Sequence, residues 1–308
     1  MNTTSSRLPA AAPRAVFRLP AGACLVLAMV TVGSTVVASR VIAAGLPPFT
    51  ATALRFAIAL AILLALMRWR GERLPRPSRH DALLLAAQAF AGSVGYAVLL
   101  LAGLRRASAA DAGVIAGSLP AVAALVAMLA LRERPGRGML AAIALASAGV
   151  AAINLGEPAA AHSLAGNALV LAAVACEALF ILLNKRLHVP LAPLAQSTLM
   201  CGLGFAFTVL PALGESAWRQ PADARALLGV LYYALVPTVG GYLLWYAGAA
   251  RASAARAALC TGVLPVSAVA LAAVVLGEPI GARQLLGVAC VLAAIAAGAV
   301  GERRARRA

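Results

Sequence analysis

The sequence predicts an all-α membrane protein of ten transmembrane helices, built as two inverted five-helix repeats. Composition is the first reason: 63% of residues are hydrophobic and only 12% charged, with a mean hydropathy of +0.92. So few charges could not cover the surface of a soluble globule of 308 residues. The second reason is the spacing of the apolar runs, each long enough to cross a hydrocarbon core of about 30 Å. The third is an internal repeat, in which the pentad RASAA starts at Arg106 and again at Arg251.

The apolar runs predict spans over 21–39, 49–68, 82–104, 110–131, 138–155, 165–184, 194–213, 226–248, 257–276 and 283–300. Between them lie short connectors rich in breakers, such as GLPP from Gly45, GERLPRPSRHD from Gly71, RERPGRG from Arg132 and GESAWRQPADA from Gly214. They leave no room for a second soluble domain. The expected organisation is a cytoplasmic tail over 1–20, a first repeat over 21–155, a second over 165–301 and a basic cytoplasmic tail over 302–308.

A formal charge of +16 raises the question of nucleic acid, and the position of the charges answers it. They sit between the apolar runs, where they read as topology signals and lipid-headgroup contacts. Membrane lipid is therefore an expected partner and nucleic acid is not. With both termini cytoplasmic, about 19 basic residues fall on inner segments, Arg68 to Arg79 and Arg303 to Arg307 among them. About six fall outside: Arg40, Arg105, Arg106, Arg219, Arg225 and Arg283.

All five cysteines (Cys24, Cys176, Cys201, Cys260 and Cys290) lie within apolar runs and form no CxxC pair. They read as small buried hydrophobes. His80, His162 and His188 fall in or beside connectors far apart in sequence. No metal site and no cofactor is expected.

A shift of 145 positions superposes much more than the pentad. Ala102, Gly103, Arg106, Ser108, Gly117, Leu119, Pro120, Leu131 and Glu133 fall on Ala247, Gly248, Arg251, Ser253, Gly262, Leu264, Pro265, Leu276 and Glu278. Five spans per repeat is an odd number, so the second repeat enters the membrane from the opposite face. The two are then related by a pseudo-two-fold axis in the membrane plane, an arrangement suited to exposing one pathway alternately to either side.

The stretch LYYALVPTVGGYLLWYAGAARASAARAALCTGVLPVSAVALAAVVLGEPIG from Leu231 resembles the eighth and ninth helices of the drug/metabolite transporter superfamily, EamA type. GLPPFTATALRF from Gly45 is similar to that family's first loop and second-helix start, and SLPAVAALVAMLALRERP from Ser118 repeats its proline-helix pattern. The first-half motif departs in reading LRE at Leu131 where the second half reads LGE at Leu276. The resemblance covers about 21 to 301 and includes the first apolar run, which argues for an uncleaved first helix rather than a signal peptide. It implies secondary active transport of a small metabolite, amino acid or amphiphilic drug by alternating access, most often outward; the alanine and arginine bias of the chain points to a bacterial inner membrane.

Candidate pathway residues follow from the cost of polar groups in lipid. Glu177 is the only acidic residue well inside a span, and a carboxylate there costs about 2.5 to 3.5 kcal/mol on insertion scales. It reads either as a proton- or cation-linked site or as a protonated carboxyl held in a structural hydrogen bond. Phe180 and Asn184 share its helical face. Arg55 either snorkels to headgroups, holds an anionic substrate or pairs with Glu177. Gln88, Gly92 and Tyr96 form one stripe, and Tyr242, Trp245 and Tyr246 another, either lining an amphiphilic path or, for Trp245 and Tyr246, forming an interfacial belt. Pro120 and Pro265, with Gly117, Gly262 and Thr261 beside them, mark helix breaks that read as hinges.

No G-x-S-x-G, no P-loop and no H-E-x-x-H appears, so an enzyme is not expected. The expected partners are lipid, a small-molecule substrate and, through Glu177, protons; a homodimer stays open. A non-transporting scaffold and a ligand-sensing receptor are the rival readings. Lys185, the only lysine, lies at a helix end and excludes a mid-membrane retinal Schiff base.

Overall fold

The structure, a computed structural model, describes residues 19–75, 77–131, 137–154, 163–184, 186–188, 191–217, 223–252 and 260–305. Its regular elements are helices throughout: α1 (Ala21–Gly45), α2 (Pro48–Arg70), α3 (Arg79–Leu104), α4 in two segments, α4a (Ala109–Gly117) and α4b (Leu119–Leu131), α5 (Arg137–Asn154), α6 (Leu164–Asn184), α7 (Pro193–Gly214), α8 (Ala224–Ala249), α9 (Val263–Leu276) and α10 (Ala282–Ala305). Among the described residues six of these are long and apolar enough to cross a membrane; α4 is a seventh span, bent by 50°. Shorter apolar stretches in α5, α9 and α10 complete the ten.

Local chemistry sets the helix starts. Pro48 and Pro193, 145 positions apart, each stand at the first turn, where the missing N–H has no intrahelical partner to lose. Ser78 Oγ accepts from Asp81 N at 3.1 Å to begin α3, and Ser108 Oγ accepts from Asp111 N at 3.0 Å to begin α4a. Gly71 and Gly277 end α2 and α9 at φ of 67°, a left-handed conformation costly for any residue with a Cβ.

Three departures from regular helix matter. α3 contains a π-helical stretch, Ala89–Gly95, and α8 another, Ala234–Gly241; the shift of 145 superposes their first residues. The expected single span over 110–131 is broken at Ser118. Pro120 accordingly sits in the first turn of α4b and Pro265 in the first turn of α9, after Gly262 as N-cap. Each proline starts a helix instead of removing a bond from the middle of one.

The packing is two-fold. α1 packs on α8 and α9 while α6 packs on α3 and α4, and α2 pairs with α7, α4 with α9 and α5 with α10. Exchanging the halves maps every one of these contacts onto another or onto itself. Small residues permit the closest approaches: a Cβ on Gly113 would lie 2.7 Å from Ala268 Cβ, and one on Gly117 would lie 2.6 Å from Pro265 Cβ, where α4 crosses α9.

Acidic side chains of the second half cap helices of the first. Glu278 accepts from Ala109 N at 3.0 Å and Ala110 N at 2.9 Å, so the LGE motif of one half closes the RASAA helix start of the other. Glu215 accepts from Phe49 N, Thr50 N and Thr50 Oγ1 at the start of α2. Beside the first cap, fully buried Asp111 accepts from Gln284 Nε2 at 2.9 Å. Residues 253–255 of the second RASAA copy, and 256–259 after them, lie outside the described residues.

Candidate functional site

A cavity of about 100 Å³ opens between α1, α2, α3, α4, α6, α8 and α9, room for roughly seven to ten waters. Its walls obey the repeat. Met29, Val32 and Thr35 of α1 line it together with Val174, Glu177 and Phe180 of α6, which are the same positions shifted by 145. Gly92 and Tyr96 likewise face it with Pro237 and Gly241, and Ala116 and Leu119 with Thr261 and Leu264. The cavity therefore lies on the pseudo-two-fold axis. Its charge arises where the symmetry fails: Glu177 stands where the first repeat has Val32, and Arg55 where the second has Met200.

Arg55 is 6% exposed and turned inward, not outward to headgroups. Its guanidinium carbon lies 4.2 Å from the centre of the Phe56 ring and 4.3 Å from that of Tyr233, between two π faces. One terminal nitrogen donates to Ser93 O at 3.3 Å, within the first π stretch. Its Nε has no partner among the described residues. Among the described residues Glu177 forms neither an ion pair with Arg55 nor a hydrogen bond. The hydroxyl of buried Tyr246 also lacks a partner among the described residues.

Aromatic rings complete the wall. Phe180 and Tyr242 stack with centroids 6.5 Å apart, and Tyr242 and Tyr246 lie tilted at 6.1 Å. Tyr242 OH lies 3.4 Å from Ser93 Oγ. Trp245 also lines the cavity, and Tyr246 is 6% exposed, so the C-terminal end of α8 contributes inward-facing rings.

Of the expected pathway residues, Glu177, Arg55, Tyr96, Tyr242, Trp245, Tyr246 and Thr261 line this one cavity. Gln88 and Asn184 do not. Fully buried Gln88 donates from Nε2 to Phe180 O at 3.2 Å, behind the ring that Gly92 packs against, so its amide is engaged with the α6 backbone and not with the cavity. Asn184 keeps the face of Glu177 but stands about 10 Å further along the axis at 1.5 Å per residue, where it accepts from Gln196. Tyr233, Ser93, Thr35 and Thr238 were not anticipated. Ser93 and Thr238 are equivalent positions of the two π stretches, a polar match that the repeat register alone could have exposed.

The sequence pattern described as the EamA-like transporter family matches twice, over residues 20–155 and 164–297. The chain belongs to this family. It is a membrane transporter, with an integral membrane fold and two EamA repeats. Among similar proteins, the uncharacterized transporter YetK of Bacillus subtilis is 36% identical over 280 residues, 88% of this chain and 84% of that protein. A probable terminal-alkyne amino-acid exporter of Streptantibioticus cattleyicolor is 28% identical, over 71% of this chain and 74% of its own. A probable amino-acid metabolite efflux pump of Salmonella typhimurium is 31% identical over 53% of this chain and 58% of that protein. A solved crystal structure shares the fold, with a TM-score of 0.63 at 21% identity over 92% of this chain and 98% of its own.

Proposed function

We propose that this EamA transporter is a secondary active exporter in a bacterial inner membrane, with both termini cytoplasmic, moving small zwitterionic or amphiphilic metabolites of amino-acid type. The observation that carries the reading is the set of polar groups around one cavity that make no hydrogen bond among the described residues: the Glu177 carboxylate, Arg55 Nε and the Tyr246 hydroxyl. Buried polar groups are ordinarily satisfied, and these three offer an anion, a cation and a neutral donor to whatever enters. A substrate carboxylate suits Arg55, and a substrate ammonium suits Glu177 and the faces of Tyr242 and Trp245. The efflux and exporter names of two relatives support both the class and the outward direction.

Proton coupling follows from the same carboxylate. One acid that holds either a proton or the substrate's cationic group makes the two compete, and competition for a site exposed alternately to each face gives exchange. In proteoliposomes carrying a pH gradient, Glu177→Gln is expected to lower gradient-driven amino-acid transport by at least about tenfold; full retention would sink the coupling. Thermal-shift measurements over a panel of amino acids, their decarboxylated amines and their deaminated acids test the substrate class. The intact zwitterions should stabilise the protein most, and that preference should vanish in Glu177→Gln and Arg55→Gln. Equal stabilisation by all three groups would overturn it.

A further inference from the structure

Away from the cavity, the fold brings together two of the chain's three histidines, although 108 positions separate them. One ligand atom from each of His80, Asp81 and His188 lies within 4.8 Å of the others. Asp81 is the fixed member. It is 5% exposed, its N–H is tied to Ser78 Oγ at 3.1 Å, and its Oδ1 accepts from His188 N at 3.2 Å. The two imidazoles are exposed, with ring centres 4.6 Å apart and tilted by 40°. His188 Nδ1 stands 3.2 Å from the same Asp81 Oδ1.

Those dimensions suit a small divalent ion of intermediate softness. Zinc bonds to imidazole nitrogen and carboxylate oxygen are about 2.0–2.2 Å long, so neighbouring ligands in a tetrahedral site lie about 3.3–3.5 Å apart. The Asp81–His188 separation is already close to one such edge, and a rotation of the exposed His80 ring brings its nitrogen into reach. Two histidines and one carboxylate are a borderline donor set, matched to Zn²⁺, Co²⁺ or Ni²⁺ and poorly matched to Ca²⁺ or Mg²⁺. Three protein ligands leave the fourth position to water, which keeps the ion exchangeable.

We infer that His80, Asp81 and His188 form a transition-metal site that clasps the two repeats together at one end of the bundle. His80 and Asp81 open α3 of the first repeat; His188 stands between α6 and α7 of the second. An ion held by all three ties these segments to each other, at the same end as Arg68, Arg70 and Arg186. The site is independent of the central cavity and of what the cavity transports.

The test uses the full-length protein in detergent, with any affinity tag removed, titrated with Zn²⁺ alone against a chromophoric chelator. One Zn²⁺ per chain is expected. His80→Ala and His188→Ala should each weaken binding by at least about tenfold, since losing even an outer-shell partner costs 10–100-fold, while His162→Ala should bind normally. Both single variants replace exposed rings and should fold. Co²⁺ should give tetrahedral d–d absorption bands with the parent protein, and the His80→Ala/His188→Ala double variant should lose them. Absence of stoichiometric binding in the parent protein, or unchanged Zn²⁺ affinity in the double variant, would overturn the assignment.

Discussion

Val32 and Glu177 occupy equivalent positions on α1 and α6, and both face the cavity. Only Glu177 carries a group that lipid penalises, so residue type alone betrayed it in the sequence, as it did Arg55. Tyr233 and Phe56, which sandwich the guanidinium, are unremarkable members of apolar runs and were illegible until the helices were packed. Gln88 and Asn184 lie off the cavity wall: helical periodicity fixes a face and says nothing about depth along the axis or about which backbone group captures a side-chain amide. Gly92 supplies the sharpest prediction at this scale. A Cβ there would overlap the side chain of Phe180, and overpacking of this kind costs about 1–3 kcal/mol. Gly92→Val is expected to displace Phe180 and cut transport by about tenfold or more while the protein still reaches the membrane. Quantitative uptake normalised to purified protein checks it.

The elements carry information that their sequences only half disclose. The ten apolar runs fall on the helices, with ends up to six residues away (39 against Gly45) and one run, 110–131, divided in two, because hydrocarbon thickness dictates length but not the end caps or a break. The π stretches in α3 and α8 left no trace in hydropathy, since a wider turn needs no different composition. Their duplication at equivalent positions argues for a built feature, and both border the cavity through Gly92, Pro237, Thr238 and Gly241. The Glu133/Glu278 match was visible as a repeat, but what the glutamate does was not: it is a helix cap reaching across the molecule. Removing it leaves Ala109 N and Ala110 N without their acceptor, at a cost of about 1–2 kcal/mol. Glu278→Ala should therefore lower the midpoint of thermal unfolding, measured by fluorescence-detected chromatography, while the central cavity and its ligand preference persist.

At the scale of the whole molecule, inversion was legible because an odd number of spans per repeat forces it, and the structure adds that the cavity sits on the resulting axis. A polar site on such an axis is built mostly from duplicated positions, and its chemistry then comes from the few where the copies have diverged. The proposed orientation puts Ser108 outside and Ser253 inside. In a cysteine-free background, Ser108→Cys should react with an impermeant maleimide on intact cells and Ser253→Cys only after permeabilisation. The caps made by Glu215 and Glu278 also fix an order of assembly. Two helices of the first repeat, α2 and α4a, receive their acidic caps from residues 165 to 169 positions later in the chain. While the ribosome is still making the second half, those helix starts wait in the membrane with N–H groups unsatisfied by their final partners. Biogenesis is thus a closing of the chain upon its own beginning, with the starts of α2 and α4a completed only by residues of the second half.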